Sequence, residues 1–271
     1  MNVQAEAVAE AYRRYTAAAE AAGVSVRMAE PRDLAKIIGL FERTWGVGRS
    51  PDRAMLLALD YAGNTVLLAT ERGRPVGATL GFIGWTNGLH LHSHMAAVVP
   101  WHRGGGVGFA LKLFQRALCL EHGIAEMRWT FDPLIRRNAH FNLVKLGAEV
   151  TAFLPDFYGR LDDVISGSDH SDRFEVRWRL DSERVLRALS GAPAPVWTAE
   201  SGWPLDVDFE QFRAHDPDAA ARRRAESRVV FAAALKHGLR PEVTAANDYV
   251  FTADPVDPGP PARSAASARE A

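Results

Sequence analysis

The amino-acid sequence predicts a mixed α/β fold in which a mostly antiparallel sheet is flanked by helices. Short segments of alternating or continuous apolar residues recur between positions 24 and 180, and segments with helical spacing interrupt them. The dipeptide Asn87-Gly88 stands between two of the strand-like segments, which is a strong signal for a β-hairpin. Together these patterns indicate a hairpin-bearing sheet interrupted by helices.

The composition fits a globular protein that recognises a small ligand. Of the 271 residues 47% are apolar, enough for a sizeable core without disulfides or metals. Lys and Arg number 32 and Asp and Glu 33, so no net field favours nucleic acid or a membrane as partner. The only cysteine, Cys119, is expected to be a small buried hydrophobe in a reducing compartment. Residues 1–22 lack the apolar run of a signal peptide or membrane span, and we expect a cytoplasmic protein.

The expected elements follow one another without an internal repeat. A helix over 1–22 ends at Gly23, a common type of helix stop. Strands are expected over 24–28, 65–69, 76–85, 89–99, 127–131, 148–154 and 174–180, and helices after Pro31, from Ser50, over 107–122 and over 138–146. We therefore assign residues 1–23 to an N-terminal helix and residues 24–180 to the main domain.

Beyond residue 180 the pattern changes. A linker rich in Pro and Ala at 192–195 precedes a helix over 217–237 and a short strand over 242–251, and we assign 181–253 to a C-terminal extension. The basic run 222–224 lies on that helix among acidic neighbours, which predicts a solvated face. Residues 254–271 are rich in Pro, Ala and Ser with few apolar side chains, which predicts a disordered tail.

The sharpest feature is a glycine-rich turn between the long strand and the helix that follows it. The strand ends at Pro100, and Arg103-Gly104-Gly105-Gly106-Val107-Gly108 leads into a helix with an apolar stripe. Glycines let the backbone approach a ligand closely, and the N-terminus of a helix favours an anion such as a pyrophosphate. The spacing is neither that of a dinucleotide fingerprint nor that of a P-loop. A tight structural loop is the alternative to a phosphate-binding turn.

This segment resembles the acyl-CoA-binding motif of the GNAT N-acyltransferase superfamily, in which Gln or Arg, two residues, Gly, one residue and then Gly or Ala follow a strand. Arg103, Gly106 and Gly108 stand at the three motif positions. Downstream, Ala139 and the run Lys145-Leu146-Gly147 resemble the helix after the fifth strand of that superfamily. More narrowly, residues 129–134 and 138–142 are similar to a bacterial branch of predicted acyltransferases that carries a C-terminal extension.

The resemblance implies a V-shaped opening between strands four and five that holds the pantetheine arm of an acyl-CoA cosubstrate. Backbone groups of the strand would hold the pantetheine amides, and amides of the turn would bind the pyrophosphate. The implied coenzyme contacts are Ala97, Val98, Val99, Arg103, Gly104, Gly105, Gly106, Val107, Gly108 and Asn138.

The implied activity is acyl transfer from a CoA thioester to a small amine such as an amino acid, without a metal. We expect direct transfer, because no Cys or Ser stands beside a base. Acetyl-CoA is the default donor; succinyl-CoA stays open because Arg136 or Arg137 could bind a distal carboxylate. The superfamily's usual Tyr acid is Leu143 here, so an acyl-CoA-binding or sensing module without turnover is the alternative. A homodimer is left open.

Three histidines, His90, His92 and His94, alternate along the long strand and are expected on one face. A pair of His ligands two residues apart suits zinc, but no Asp, Glu or Cys stands at a partner spacing nearby. A neutral imidazole can instead remove the proton of an attacking amine, and His92 falls where several GNAT enzymes place a base. His92 and His94 are therefore the catalytic candidates. Polar residues that merely line a wet cleft are the third interpretation.

Three further side chains are candidates for contact with the substrate or the coenzyme. Asp132 follows a strand beside the expected cleft and is a candidate to bind a substrate amine, although an Asp before Pro is commonly a turn former. Arg136, like Arg137, is a candidate to meet the 3′-phosphate of coenzyme A or a substrate carboxylate, with a solvated face as the alternative.

Overall fold

The computed structural model of the chain describes residues 3–256 except 162, 164–166 and 168. The helices are α1 Val3–Ala21, α2 Leu34–Trp45, α3 Arg53–Tyr61, α4 Val107–Glu121, α5 Arg136–Ala139, α6 Glu183–Leu189, α7 Phe209–His215 and α8 Pro217–Lys236. The strands are β1 Ser25–Met28, β2 Thr65–Glu71, β3 Arg74–Gly84, β4 His90–Val98, β5 Glu126–Phe131, β6 Glu149–Leu154, β7 Arg173–Arg179, β8 Ser201–Trp203, β9 Arg240–Val243 and β10 Tyr249–Thr252. A 3₁₀ turn Pro100–His102 precedes α4, and a π-helical turn His140–Lys145 follows α5.

The main sheet has seven strands in the order β1-β2-β3-β4-β5-β7-β6. Its neighbours are antiparallel except for β4 and β5, which are parallel. Helices cover both faces, because successive residues Val66, Leu67, Leu68 and Ala69 of β2 are all fully buried. The predicted mixed α/β fold, with a mostly antiparallel sheet flanked by helices, is confirmed.

Helix α4 lies between the sheet and α1, so it is buried on both of its sides. Its apolar stripe was readable from the sequence, but Lys112, Gln115 and Arg116 are buried as well. The ring of Phe114 stacks on Tyr15 of α1 with 4.6 Å between the ring centroids. Cys119 on this helix is buried and free, as predicted, and burial raises the pKa of its thiol to about 12.

The second sheet belongs to the C-terminal extension and has the strand order β8-β10-β9. The single strand predicted over 242–251 is wrong. That stretch turns at Asn247, whose φ is +62°, and Thr244 donates its N–H to the carbonyl of Asp248, so the residues form the hairpin of β9 and β10. The short elements α6, α7 and β8 were not predicted, because none is long enough to show a period.

The extension shares its apolar core with the main sheet. Phe231 of α8 packs on Phe174 of β7 with 4.9 Å between ring centroids, and Tyr249 of β10 packs on the same Phe174 at 5.6 Å. The Tyr249 hydroxyl donates to the carbonyl of Pro133, just after β5, at 3.0 Å. The extension therefore buries the end of β5 together with the strand that pairs with it.

Arg224 corrects the expectation that residues 222–224 form a solvated face. It is 2% exposed and lies on the inner side of α8, whereas Arg222 is exposed. Its guanidinium donates to Asp132 at 2.8 and 3.2 Å and to Asp169 at 2.8 and 2.9 Å. The sequence analysis treated the three arginines alike. One arginine of a charged run can be buried when it forms ion pairs with buried carboxylates.

The first residue of the expected tail, Asp254, forms hydrogen bonds with residues of the extension. The backbone N–H of Thr198 donates to the carboxylate of Asp254 at 2.6 Å, and Arg240 donates to the Asp254 carbonyl at 3.0 Å. Residues 257–271, the rest of the stretch predicted to be disordered, lie outside the described residues. Within the described part of the chain, no helix has the length and apolarity needed to cross a membrane.

The Arg224 cluster gives a prediction about stability. Replacing Arg224 by Leu leaves Asp132 and Asp169 without their shared cation, and we expect the free energy of unfolding to fall by about 3–5 kcal/mol. Urea denaturation measures the loss. The matched control is Arg222→Leu on the exposed side of the same helix, for which we expect a change within about 0.5 kcal/mol. Equal losses for the two variants would contradict the bridging role of Arg224.

Candidate functional site: a cleft between two parallel strands

The centre of the main sheet contains a V-shaped cleft. Strands β4 and β5 pair only at Leu91 with Met127 and at His92 with Arg128. Along β4, Leu80 of β3 lies opposite Met95 and Gly81 opposite Ser93, so His94 is the extra residue of a β-bulge. A bulge bends its strand and increases its local twist. The bend starts immediately after the last ladder pair, and the two strands separate from there towards the end of β4.

The backbone groups along the β4 side of this cleft alternate between the cleft and β3. Val99 donates its N–H to the carbonyl of Val76 at 2.9 Å and accepts from His102 N–H at 3.0 Å, so both of its backbone groups are in use. Residues with bonds to the neighbouring strand alternate along an antiparallel ladder, which turns Ala97 towards β3 as well. The alternation leaves Ala96 and Val98 to present backbone groups to the cleft. The backbone groups of Ala97 and Val99 thus face β3 and those of Val98 face the cleft, and the coenzyme contacts of all three residues stay predictions.

The glycine turn lies at the open end of the cleft and feeds directly into α4. Gly104 and Gly106 have φ of +80° and +88°, a region that favours glycine, and Gly106 is the residue that caps α4. The first N–H groups of α4, starting with Val107 and Gly108, have no acceptor within the helix. A Cβ at Gly108 would meet only Val98 at 3.8 Å, an ordinary contact. This end of the helix therefore combines N–H groups that lack a helical acceptor with a dipole that favours an anion.

The three histidines have different environments. His90 is buried in the β3–β4 hairpin, where its Nδ1 lies 2.8 Å from the carbonyl of Gly88 and its ring covers Gly84. His92 and His94 lie beside each other with 6.0 Å between ring centroids, and both contact the ring of Phe82 at 5.2 and 5.7 Å. Two of the three thus lie together on β4, next to the point where β4 and β5 separate. The described residues include no group of three or more His, Cys, Asp or Glu side chains that could hold a metal ion.

His92 is neutral in this environment. Burial, and then the neighbouring charges of His94, His90 and Lys112, lower the pKa of His92 to about 4. Its unprotonated form is therefore present throughout the neutral range. The low pKa also means that His92 holds an accepted proton weakly and must pass it on to solvent.

Sequence analysis did not find a buried lysine on the face of the sheet that α4 covers. Lys112 of α4 donates to the hydroxyl of Ser93 at 2.7 Å, and its ammonium lies 3.7 Å from the centre of the Trp129 ring. The Ser93 hydroxyl donates to Gln115 at 2.9 Å, and Gln115 donates to Thr65 at 2.9 Å. The available signal was the polar set 112, 115 and 116 at helical spacing within an otherwise apolar helix.

The other predicted site residues contact the C-terminal extension. Asp132 is held by Arg224; burial raises its pKa, but the guanidinium charge outweighs burial and the net shift is downward. Arg136 donates to the carbonyl of Ala246, and Arg137 pairs with Glu210 of α7 at 2.5 Å. The carboxylate and guanidinium groups that were expected to meet substrate therefore have protein partners.

The position of the superfamily's usual Tyr acid, and the polar positions near it, have no acidic side chain. Leu143 is buried and apolar, and nearby Asn142 is buried with its amide oxygen accepting from Trp129 Nε1 at 3.1 Å. Asn138 is partly exposed at the start of the helical segment after β5, and its role as a coenzyme contact stays a prediction. No group at these positions protonates a leaving thiolate.

Comparison with known proteins finds partial structural similarities. No protein-family model matches the chain, and no curated protein matches it at a significant level. Similar solved structures include Ard1 from Thermoplasma volcanium, with 21% identity, TM-score 0.44 and coverage of 57% of this chain and 96% of that one. The putative acetyltransferase yncA from Salmonella typhimurium, with its cofactor acetyl-CoA, has 20% identity, TM-score 0.48 and coverage of 59% and 96%. Arabidopsis thaliana Naa50, in complex with the bisubstrate analogue CoA-Ac-MVNAL, has 19% identity, TM-score 0.47 and coverage of 57% and 97%. These are similarities of chain path, and the assignment of a function depends on the site itself.

Proposed function

We propose that the chain is an acyl-CoA-dependent N-acyltransferase that acts on a small amine. The observation that supports this most is the combination of a helix N-terminus preceded by glycines with a cleft that starts beside it. The turn offers N–H groups to a pyrophosphate, and the backbone of Ala96 and Val98 offers partners to the amides of an extended arm. A ligand with an anionic head and an amide-bearing arm that ends in a thioester matches both parts.

The proposed reaction is a direct transfer. The amine nitrogen attacks the thioester carbonyl, a C–N bond forms, the C–S bond breaks, and the coenzyme leaves as a thiolate. His92 accepts the proton that the amine loses and releases it to solvent, consistent with its low pKa. The thiolate takes its proton from water, because Leu143 stands where an acid was expected. Coenzyme A thiolate is a tolerable leaving group without such an acid.

The second candidate is an acyl-CoA-binding module without turnover. Two observations favour it: the apolar residue Leu143 at the expected acid position, and the weak basicity of His92. Release of free thiol from an acyl-CoA in the presence of a panel of small amines distinguishes the two. Amine-dependent release supports the enzyme, and tight binding without release supports the module.

The glycine turn gives a prediction about coenzyme binding. Gly108→Glu adds a carboxylate where the pyrophosphate is proposed to bind, while the small contact of its Cβ and its normal φ let the helix form. We expect coenzyme A affinity to fall by at least about 100-fold, measured by calorimetry, with an unchanged melting temperature. The matched control is Ala54→Glu, which introduces a glutamate at the second residue of α3. Unchanged affinity in a folded Gly108→Glu variant would contradict this binding position.

His92 gives a prediction about rate. His92→Gln should lower turnover by about 100- to 10,000-fold at pH 7, the usual contribution of a general base, with little change in coenzyme A affinity. With a weakly basic amine acceptor, the acidic limb of the wild-type pH profile should lie near pH 4 and disappear in the variant. His94→Gln should have a milder effect.

The control for the histidine variants is His237→Gln at the exposed end of α8, which should leave turnover unaltered. Near-normal turnover of His92→Gln with an unchanged pH profile would assign the base to another group or to water. The histidines would then only line the cleft.

A further inference from the structure

Lys112 lies at the closed end of the cleft between β4 and β5. The last ladder pair joins His92 to Arg128, and the residues that follow on the two strands are Ser93 and Trp129. Lys112 contacts both of them, at 2.7 Å to the Ser93 hydroxyl and 3.7 Å to the centre of the Trp129 ring. Its ammonium therefore spans the point where the strands separate.

This ammonium is buried without a carboxylate partner. Lys112 is 6% exposed, and among the described residues no carboxylate oxygen forms an ion pair with it. A hydroxyl and an aromatic face offset only part of the cost of removing an ammonium from water. Every other fully buried cation of the described chain has a carboxylate: Arg116 has Glu10, Arg184 has Glu242 and Arg224 has Asp132 and Asp169. Lys112 is the exception within that group.

The closed end of the cleft is where the acyl group of the proposed donor would arrive. From Ser93 to Val98 the strand has six residues and spans about 17 Å, and the glycine turn follows at the far end. An arm anchored by its pyrophosphate at that turn, and extended along the cleft, directs its thioester and acyl chain towards Lys112.

We infer that the acyl donor carries a carboxylate at the end of its acyl chain, as in malonyl- or succinyl-CoA, and that Lys112 binds this carboxylate. The inference rests on the proposed function and names its donor class. Arg136 and Arg137, the residues that the sequence suggested for a distal carboxylate, already contact Ala246 and Glu210. Among the described residues, Lys112 is the buried cation beside the cleft that has no carboxylate partner.

The ionisation of Lys112 supplies a signature of this contact. Burial lowers the pKa of Lys112 to about 7, and the titratable groups that interact with it are Cys119 on the same helix and His92 on β4. A bound carboxylate favours the ammonium and raises this pKa. At pH 8, where most free Lys112 is neutral, binding of a carboxylated acyl-CoA should therefore take up close to one proton.

The test compares four ligands on the full chain by calorimetry: coenzyme A, butyryl-CoA, malonyl-CoA and succinyl-CoA. Butyryl-CoA has the four-carbon chain of succinyl-CoA without its carboxylate. At pH 7 we expect malonyl- or succinyl-CoA to bind at least about tenfold tighter than butyryl-CoA, the effect of a charge-assisted hydrogen bond. At pH 8, enthalpies in buffers of different ionisation heat should show proton uptake for the carboxylated ligand and none for butyryl-CoA.

Lys112→Met keeps the side-chain length and removes the charge. It should bind coenzyme A and butyryl-CoA as the wild type does and lose the tenfold preference and the proton uptake. Lys236→Met, on the exposed end of α8, is the matched control and should keep both. A wild type that binds all acyl forms equally would overturn the inference and leave the proposed function standing, as would equal weakening of every ligand in Lys112→Met. Failure of all four ligands, coenzyme A included, would overturn both.

Discussion

The separation of β4 from β5 in the middle of the sheet is the constraint on which the rest of the structure depends. Two parallel strands that part after His92 and Arg128 leave backbone polar groups without a neighbouring strand. Interior backbone groups of a sheet cost free energy unless something pairs with them. The gap persists because its closed end is occupied by Lys112, Ser93 and Trp129, and because β5 is fixed from its other side by β7.

The C-terminal extension also fixes β5, through contacts with the residues that follow the end of this strand. Arg224 holds Asp132 immediately after β5, and the Tyr249 hydroxyl holds the carbonyl of Pro133. Arg136 and Arg137, which follow in α5, contact the β9–β10 turn and α7. The residues after β5 that looked like substrate contacts are thus attachment points for the extension. Through these contacts they fix the position of the β5 side of the cleft, and their contact with a substrate stays a prediction.

Local sequence patterns predicted the structure correctly where a single turn or helix determines it. The hairpin at Asn87-Gly88, the glycine turn and the helix 107–122 follow from turn chemistry and helical period, and all three are present. Local patterns failed where contacts with a distant segment of the chain determine whether a residue is buried or bonded. Arg224 is buried because carboxylates 92 and 55 residues away converge on it, and Val99 is bonded because the β-ladder alternates in that register. Lys112 was hidden by the same limitation, since helical spacing does not distinguish a buried polar stripe from an exposed one.

The two basic groups nearest the closed end of the cleft are coupled. Burial is the largest cause of the low pKa of His92, and the charge of Lys112 contributes in the same direction. A carboxylate that binds Lys112 places a negative charge beside that ammonium and cancels much of its field at His92. Burial and the two histidines remain the larger causes of the low pKa of His92, so this pKa rises only by the small share that Lys112 contributed. A carboxylated donor would in this way make His92 slightly more basic, whereas a neutral acyl chain leaves the charge of Lys112 without a counter-charge.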